Sequence, residues 1–485
     1  MSTPTLTQTE PRRWAMFVIL LVGAFLPPLD FFIVNVALPA IQGELGASSS
    51  AEQLVISSYA ALYAVTLITG GRLGDIYGRG KMFFLGLIGF ATASLVCGLA
   101  WSPWVLISGR VLQGAMAAIM APQALASVQA IFPEAEKPLA LSLYGAVFGL
   151  ASVIGQVLGG ILISADLFHL GWRTIFLVNL PVALLVILFG LPVLKASRTK
   201  SAQRLDPVGT LLATLALSAL IVPLIEGREA GWPWWTWLLF AAVPLLAFGL
   251  WRYEHRLSQN GGSPLLDPVV LSTPGLGQGL VIVLLFYSIG AFFILFSVYL
   301  QEALHADALT AGLFFLPFGV GFLIGPLLTP YLRRFVGNYL STIGMGCETL
   351  GLVGLAGLIT STRTGSAPAM LPLAGLLFIT GLGQGLAMPT QVRMVTGRVA
   401  PAFSGMIAGV TSSTLQISTA LSVAVIGGIF YSMLDNSRSG ANITHAFIVA
   451  LLAMAICLAA GAGLSIRFIR RACALHPAAT SLSIK

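Results

Sequence analysis

Between residues 14 and 468 the chain is a succession of long apolar runs separated by short polar connectors. A helix needs roughly 20 mostly apolar residues to cross a bilayer, because lipid offers no partner to an unpaired backbone amide. Fourteen segments meet that length: 14–37, 53–71, 82–101, 104–125, 139–163, 172–194, 206–226, 233–252, 276–300, 309–332, 339–361, 369–391, 405–432 and 445–468. They are too long for strands, so the chain reads as an all-α integral membrane protein. The composition is 57% hydrophobic and 9% charged, against about 25% charged in an ordinary soluble domain. The formal net charge of +8 comes from small groups flanking the runs, not from a basic stripe, which argues against nucleic acid as a partner. The N-terminal Arg12-Arg13 before an apolar run imitates a signal peptide. The run continues to Val36 with no small-residue cleavage site, so it is expected to remain as the first span.

Basic residues gather on the cytoplasmic side of membrane proteins. With the N-terminus inside, 20 of the 25 Lys and Arg fall inside, Arg173, Arg228, Arg363 and Arg438 fall outside, and Arg110 lies within a span. A miscounted helix would flip every later loop. The division therefore supports fourteen spans with both termini cytoplasmic, in a plasma membrane that the family resemblance below makes a bacterial inner membrane. The longest basic connector, Lys195 to Arg204, follows the sixth span, and a second polar connector, Arg252 to Asp267, follows the eighth. The expected organisation is a cytoplasmic tail (1–13), a six-helix bundle (14–194), a two-helix insert (195–275), a second six-helix bundle (276–468) and a cytoplasmic tail (469–485). Cys97, Cys347, Cys457 and Cys473 have no metal or redox spacing and read as packing residues.

A charge in hydrocarbon costs at least ~2.5 kcal/mol, which makes an intramembrane ionisable residue a functional candidate. Three stand out. Asp30 follows Pro27-Pro28, about 9 Å from the outer end of the first span at 1.5 Å per residue; the alternative is a cap on a re-entrant turn. Arg110 enters the fourth span from outside to the same depth of about 9 Å, where it either tunes Asp30 for proton exchange or forms a static pair with it. Glu348 is about 13 Å into the eleventh span. It carries a proton, contacts a cationic substrate, or sits neutral and bonded to a neighbouring helix. The embedded amides Gln113, Gln156, Gln384 and Gln416 either line a polar cavity or bond between helices. Glycine pairs four residues apart, such as Gly155/Gly159 and Gly381/Gly385, mark faces where helices pack closely.

Between the second and third spans stands Gly71-Arg72-Leu73-Gly74-Asp75-Ile76-Tyr77-Gly78-Arg79-Gly80-Lys81. This resembles the signature loop of the major facilitator superfamily, in sequence and in topological position. The resemblance makes Gly71, Asp75, Gly78, Arg79 and Lys81 a cytoplasmic gate, with Asp75 facing the start of the thirteenth span near Phe403-Ser404. Gly80-Lys81 is not a phosphate-binding loop, since the first glycine and the Ser or Thr it would need are absent.

Further segments resemble the fourteen-span drug:proton antiporters of that superfamily. Leu29-Asp30-Phe31-Phe32-Ile33-Val34-Asn35-Val36-Ala37-Leu38-Pro39 matches the first-helix motif, with Asp30 and Asn35 at its key positions. Arg110-Val111-Leu112-Gln113-Gly114 matches the fourth-helix motif, whose arginine is associated with proton transfer. Trp172-Arg173-Thr174-Ile175-Phe176-Leu177-Val178-Asn179-Leu180-Pro181 matches the start of the sixth helix, and Tyr299-Leu300-Gln301 with Ala311 to Pro317 fits the segment after the insert. The chain departs from the family in the fifth helix, where Gly155-Gln156-Val157-Leu158-Gly159-Gly160 lacks the usual Gly-Pro pair before its double glycine. Ile76 and Leu54 also replace a usual basic residue and a common tryptophan.

The resemblance implies two pseudo-symmetric bundles around a central site that opens alternately to each side. It implies export of hydrophobic cations in exchange for protons. Asp30, Arg110 and Glu348 are the candidates for coupling, and Asn35, Gln113, Tyr287, Phe292, Phe296 and Gln384 for the substrate cavity, the aromatics either stacking on a flat cation or facing lipid. Gly155, Gln156, Gly159 and Gly160 are expected in helix packing. No cofactor, metal or nucleotide site is expected, so the proton gradient is the energy source. A periplasmic adaptor is not indicated, and no enzyme motif appears. Two rivals remain: a proton-coupled transporter of one metabolite, which Gln156 favours, and a receptor or scaffold that does not transport.

Overall fold

Pro27 and Pro28 leave the first helix unbroken. Helix α1 runs from Glu10 to Leu45, past both prolines and Pro39. Each proline removes an amide donor and frees a carbonyl one turn earlier, a fault that membrane helices tolerate where neighbours cover it. Asp30 is therefore inside a continuous helix and does not cap a re-entrant turn. The computed structural model describes residues 10–133, 136–194, 206–262, 264–265, 268–362, 368–399, 404–434 and 439–475. The basic connector from Lys195 to Arg204 lies outside them.

The first half continues with α2 (Ser49–Tyr77), α3 (Arg79–Gly98), α4 (Pro103–Ile131), α5 (Lys137–Ala165) and α6 (Gly171–Leu191). Then come α7 (Pro207–Glu229) and α8 (Trp234–Gln259). The second half comprises α9 (Leu276–Ala303), α10 (Ala308–Val336), α11 (Tyr339–Ser361), α12 (Met370–Thr396), α13 (Ser404–Ser422, continuing to Ser432) and α14 (Gly440–Leu475). Among the described residues, twelve helices are long and apolar enough to cross a membrane. The expected second and seventh spans, α2 and α7, are helical but outside that set. Helical structure extends past the expected first and last spans, with α1 beginning at Glu10 and α14 running to Leu475.

Helix pairings repeat with an offset of eight. In the first half α2 packs on α4, α3 on α4 and α1 on α5; in the second, α10 packs on α12, α11 on α12 and α9 on α13. The halves meet through α2 against α13 and α5 against α10, two crossings that exchange under the same offset. Glycine permits the tightest approaches. A Cβ at Gly114 would lie 2.4 Å from the Tyr59 carbonyl oxygen, and one at Gly381 would lie 1.9 Å from that of Phe318. With no hydrophobic force between helices in lipid, such contacts carry much of the packing. The insert helices α7 and α8 pack on each other, and α7 also touches α2 and α13. The outer face of α8 exposes Trp234, Trp237, Leu245 and Phe248, an apolar surface suited to lipid and not to water.

Helix α9 changes its winding twice. An α segment ends at Phe286, Tyr287–Ala291 tightens to a 3₁₀ turn, and Tyr299–Ala303 widens to a π turn. Helix α13 covers the tightened stretch. The Ser418 hydroxyl donates to the Leu284 carbonyl, the Ser422 hydroxyl donates to the Ser288 carbonyl, and the Ala291 amide donates to Ser422 Oγ at 2.9 Å.

Candidate functional site

The first half closes around a polar cluster with no exposed surface, made of Asp30, Arg110, Gln113, Ser94 and Asn179. Each comes from an apolar helix, so every polar group must find its partner inside. Arg110 of α4 donates through Nη1 to Asp30 Oδ2 of α1. Asp30 Oδ1 accepts from Gln113 at 2.8 Å and from Asn179 of α6 at 2.9 Å. Ser94 of α3 takes the second bond of both amides, at 2.8 and 3.2 Å. Arg110 also donates to Gln113 Oε1 at 2.8 Å and through Nε to the Val55 carbonyl at 2.9 Å. Its Nη2 finds no acceptor among the described residues. The carboxylate of α1 is thus held from α4 and α6, with Ser94 of α3 bridging the two amides. Three donors to an ionised acceptor are what a buried charge needs.

Tyr59 of α2 closes the cluster on one side. The Arg110 guanidinium carbon lies 4.3 Å from its ring centroid, a cation–π contact, and the Tyr59 hydroxyl donates to the Pro27 carbonyl at 3.1 Å. The same ring lines a narrow cavity of about 30 Å³ between the two halves. Its other walls are Pro27, Pro28, Phe31 and Phe32 from α1, Tyr63 from α2, Phe148 from α5, Tyr287 from α9, and Gln416 and Thr419 from α13. Every lining side chain is uncharged, so one aromatic ring stands between the ion pair and an aromatic chamber.

Of the residues expected in a cavity, Tyr287 lines this one. Gln113 belongs to the Asp30 cluster. Asn35 turns its amide to the Phe31 and Phe32 carbonyls of its own helix. Phe292 and Phe296 are buried among Phe315, Phe318 and Phe447, where they pack α9 against α10 and α14. Gln384 is buried on α12 with Oε1 lacking a partner among the described residues. Glu348 is fully buried on α11 against Gly383, and neither of its oxygens has a described partner. It lies within electrostatic reach of Tyr287.

Gly155 and Gly159 sit on α1 at Leu29–Ile33, Gly160 sits on Ala308 of α10, and the Gln156 carbonyl meets Gly312. All four expected packing residues are at helix contacts, although the Gln156 amide is buried without a described partner. At the signature loop, Gly78 takes φ +97° at the turn from α2 to α3, a region open to glycine. Gly71 lies opposite Pro122. Arg79 donates to the Ala126 carbonyl at 2.9 Å, which ties the turn to the end of α4. Lys81 is exposed. The side chain of Asp75 and residues 400–403 lie outside the described residues.

Three residues at the centre were not singled out from sequence: Ser94, Asn179 and Tyr59. Asn179 stands in the motif at the start of the sixth helix, where its position was a signal; a lone serine or tyrosine in an apolar run gives none.

A helical membrane protein with repeated halves, an ion pair in one half and a chamber between them is built as a solute transporter. Comparison with known proteins agrees. The sequence model of the Major Facilitator Superfamily matches residues 20–423, and the chain belongs to that superfamily. It is 33% identical over 430 residues to a probable actinorhodin transporter of Streptomyces coelicolor, covering 88% of this chain and 74% of that one. It is 36% identical over 429 residues to a puromycin resistance protein of Streptomyces alboniger, covering 87% and 82%. A multidrug resistance protein of Mycobacterium tuberculosis is 31% identical over 417 residues, covering 85% and 75%. In fold it is similar to a bacterial homologue of the human drug peptide transporters, with a TM-score of 0.70 at 15% identity, covering 96% of this chain and 99% of that one. The chain is a multi-pass membrane transporter and not an enzyme.

Proposed function

We propose that the protein is a proton-coupled antiporter that exports hydrophobic, cationic organic molecules of the antibiotic or drug class. The observation that carries this reading is the buried Asp30–Arg110 pair, set one aromatic ring away from an uncharged cavity. Relatives named for antibiotic export and resistance support it. In the resting state Asp30 is ionised and holds Arg110, Gln113 and Asn179. A proton arriving from outside neutralises the carboxylate, weakens its hold on the guanidinium and leaves a net positive charge behind Tyr59. That charge opposes a cation in the cavity and drives it outward. Return of the proton to the cytoplasm restores the pair. Glu348, near Tyr287 on the opposite wall, is the second protonatable group of the cycle.

The same reading takes α2 and α7 as spans, fourteen in all, with both termini in the cytoplasm of a bacterial inner membrane. The deciding experiment is ethidium efflux from energised cells expressing wild type or Asp30→Asn at matched levels, with and without an uncoupler. Efflux abolished by both the uncoupler and the substitution is the expected result. Efflux that persists in Asp30→Asn removes Asp30 from coupling, and absence of any wild-type efflux removes cationic dyes from the substrate range.

A further inference from the structure

We infer that Tyr59 makes protonation of Asp30 and occupancy of the cavity by an organic cation mutually exclusive, acting as the positioning residue that links the two sites. The inference rests on the antiport reading above and names how its two halves communicate. One part of Tyr59 carries the Arg110 guanidinium at 4.3 Å, and another lines the cavity. With every cavity-lining side chain uncharged, a cation entering it is held by aromatic faces, and the face nearest the ion pair is this one. Tyr63 stacks on the same ring at 6.0 Å between centroids, which extends the surface into the chamber.

The competition follows from charge. While Asp30 is ionised, Arg110 is neutralised and the ring can share its electron density with a cation in the cavity. Once Asp30 is protonated, Arg110 keeps its charge, loses its counterion and leans on the ring. A cation beyond that ring is then repelled and receives less of the π density. By linkage, a cation that binds more weakly to the protonated form must also promote loss of the proton. Bond order is conserved: the Asp30 O–H bond breaks, the proton passes to water, and the carboxylate re-forms its ion pair.

The charged and titratable neighbours of Asp30 are few. Arg110 comes from α4, Tyr59 from α2 and Cys97 from α3, whereas α6 contributes the neutral Asn179. Glu348 acts on Tyr287 at the far wall. The Tyr59 hydroxyl adds a mechanical link, since its acceptor is the carbonyl of Pro27, the first residue of the double proline on the cavity wall. A shift of α1 at that point moves the ring.

The test is ethidium binding to the purified full-length protein in detergent, followed by fluorescence at acid and at alkaline pH. Wild type binds more weakly at acid pH. Tyr59→Phe keeps the ring and keeps this pH dependence. Tyr59→Leu binds about tenfold more weakly, the loss of one desolvated cation–π contact, and its affinities at the two pH values converge. Tyr59→Met serves as the ring-free variant if the leucine form does not fold. Wild-type pH dependence retained in the ring-free variant overturns the inference while leaving antiport intact. A wild-type affinity independent of pH overturns the inference together with the antiport reading on which it rests.

Discussion

Asn179 donates to the same oxygen of Asp30 that Gln113 holds, at 2.9 and 2.8 Å, from a helix that enters the bundle almost 150 residues later in the chain. The carboxylate is thus positioned by α6 as well as by its ion-pair partner on α4. A hydrogen bond to a charged group contributes about 1.5–3 kcal/mol. Asn179→Ala is expected to lower initial ethidium efflux by about tenfold at matched expression, a factor that corresponds to ~1.4 kcal/mol. Unchanged efflux from this variant would remove Asn179 from the working site.

Breaking a buried ion pair from one side costs about 3–5 kcal/mol, because the remaining charge is left uncompensated. Arg110→Ala should therefore lower the thermal unfolding midpoint of the detergent-purified protein. The double substitution Asp30→Asn with Arg110→Gln should recover most of that midpoint without recovering efflux. Loss of stability in the double variant equal to the sum of the two single losses counts against a paired charge.

Gly381 and Gly357 offer a paired comparison on neighbouring helices. A Cβ at Gly381 would meet the Phe318 carbonyl at 1.9 Å, whereas at Gly357 nothing lies within 4 Å. Gly381→Ala forces α10 from α12 and is expected to destabilise by about 1–3 kcal/mol, the range for overpacking. Gly357→Ala should leave the unfolding midpoint unchanged or slightly raised, and equal effects at both positions would contradict the close approach.

Asp307 caps α10 from outside the span, accepting from the Thr310 amide at 3.4 Å. Bonds from Thr310, its side chain foremost, hold the Asp307 carboxyl below its ordinary value. A depressed carboxylate stabilises the cap at neutral pH and loses that contribution as pH falls through its folded value. Amide hydrogen exchange at Thr310, corrected for the intrinsic rate, should show protection declining toward acid pH in wild type. In Asp307→Ala that protection should already be low at neutral pH.

The buried charges were legible in sequence because charge in hydrocarbon is conspicuous. Asp30, Arg110 and Glu348 each stand out from an apolar run, and the structure buries all three. The partners of Asp30 were harder to read, because nothing in a run containing Ser94 or Tyr59 says which way the side chain faces or what crosses it. Phe292 and Phe296 show the converse. Their aromatic stripe on α9 fits a cavity or a core equally well, and only the arrival of Phe315, Phe318 and Phe447 from α10 and α14 decides for the core. Gly155, Gly159, Gly381 and Gly385 do lie against neighbouring helices, whereas Gly145, which has the same spacing to Gly149, faces open space. The tightened turn of α9 left no sequence signal, because the serines that bond it come from α13.

Those serines have a consequence for movement. Where α9 tightens between Tyr287 and Ala291, the Ser288 carbonyl and the Ala291 amide are both bonded to the Ser422 hydroxyl, and Ser418 holds the Leu284 carbonyl just before the turn. A hydroxyl has one hydrogen to donate, so each of these serines holds one backbone carbonyl at a time. The stretch of α9 beside the cavity residue Tyr287 is thus tied to α13 through backbone groups, and any sliding of one helix along the other must break or exchange those bonds.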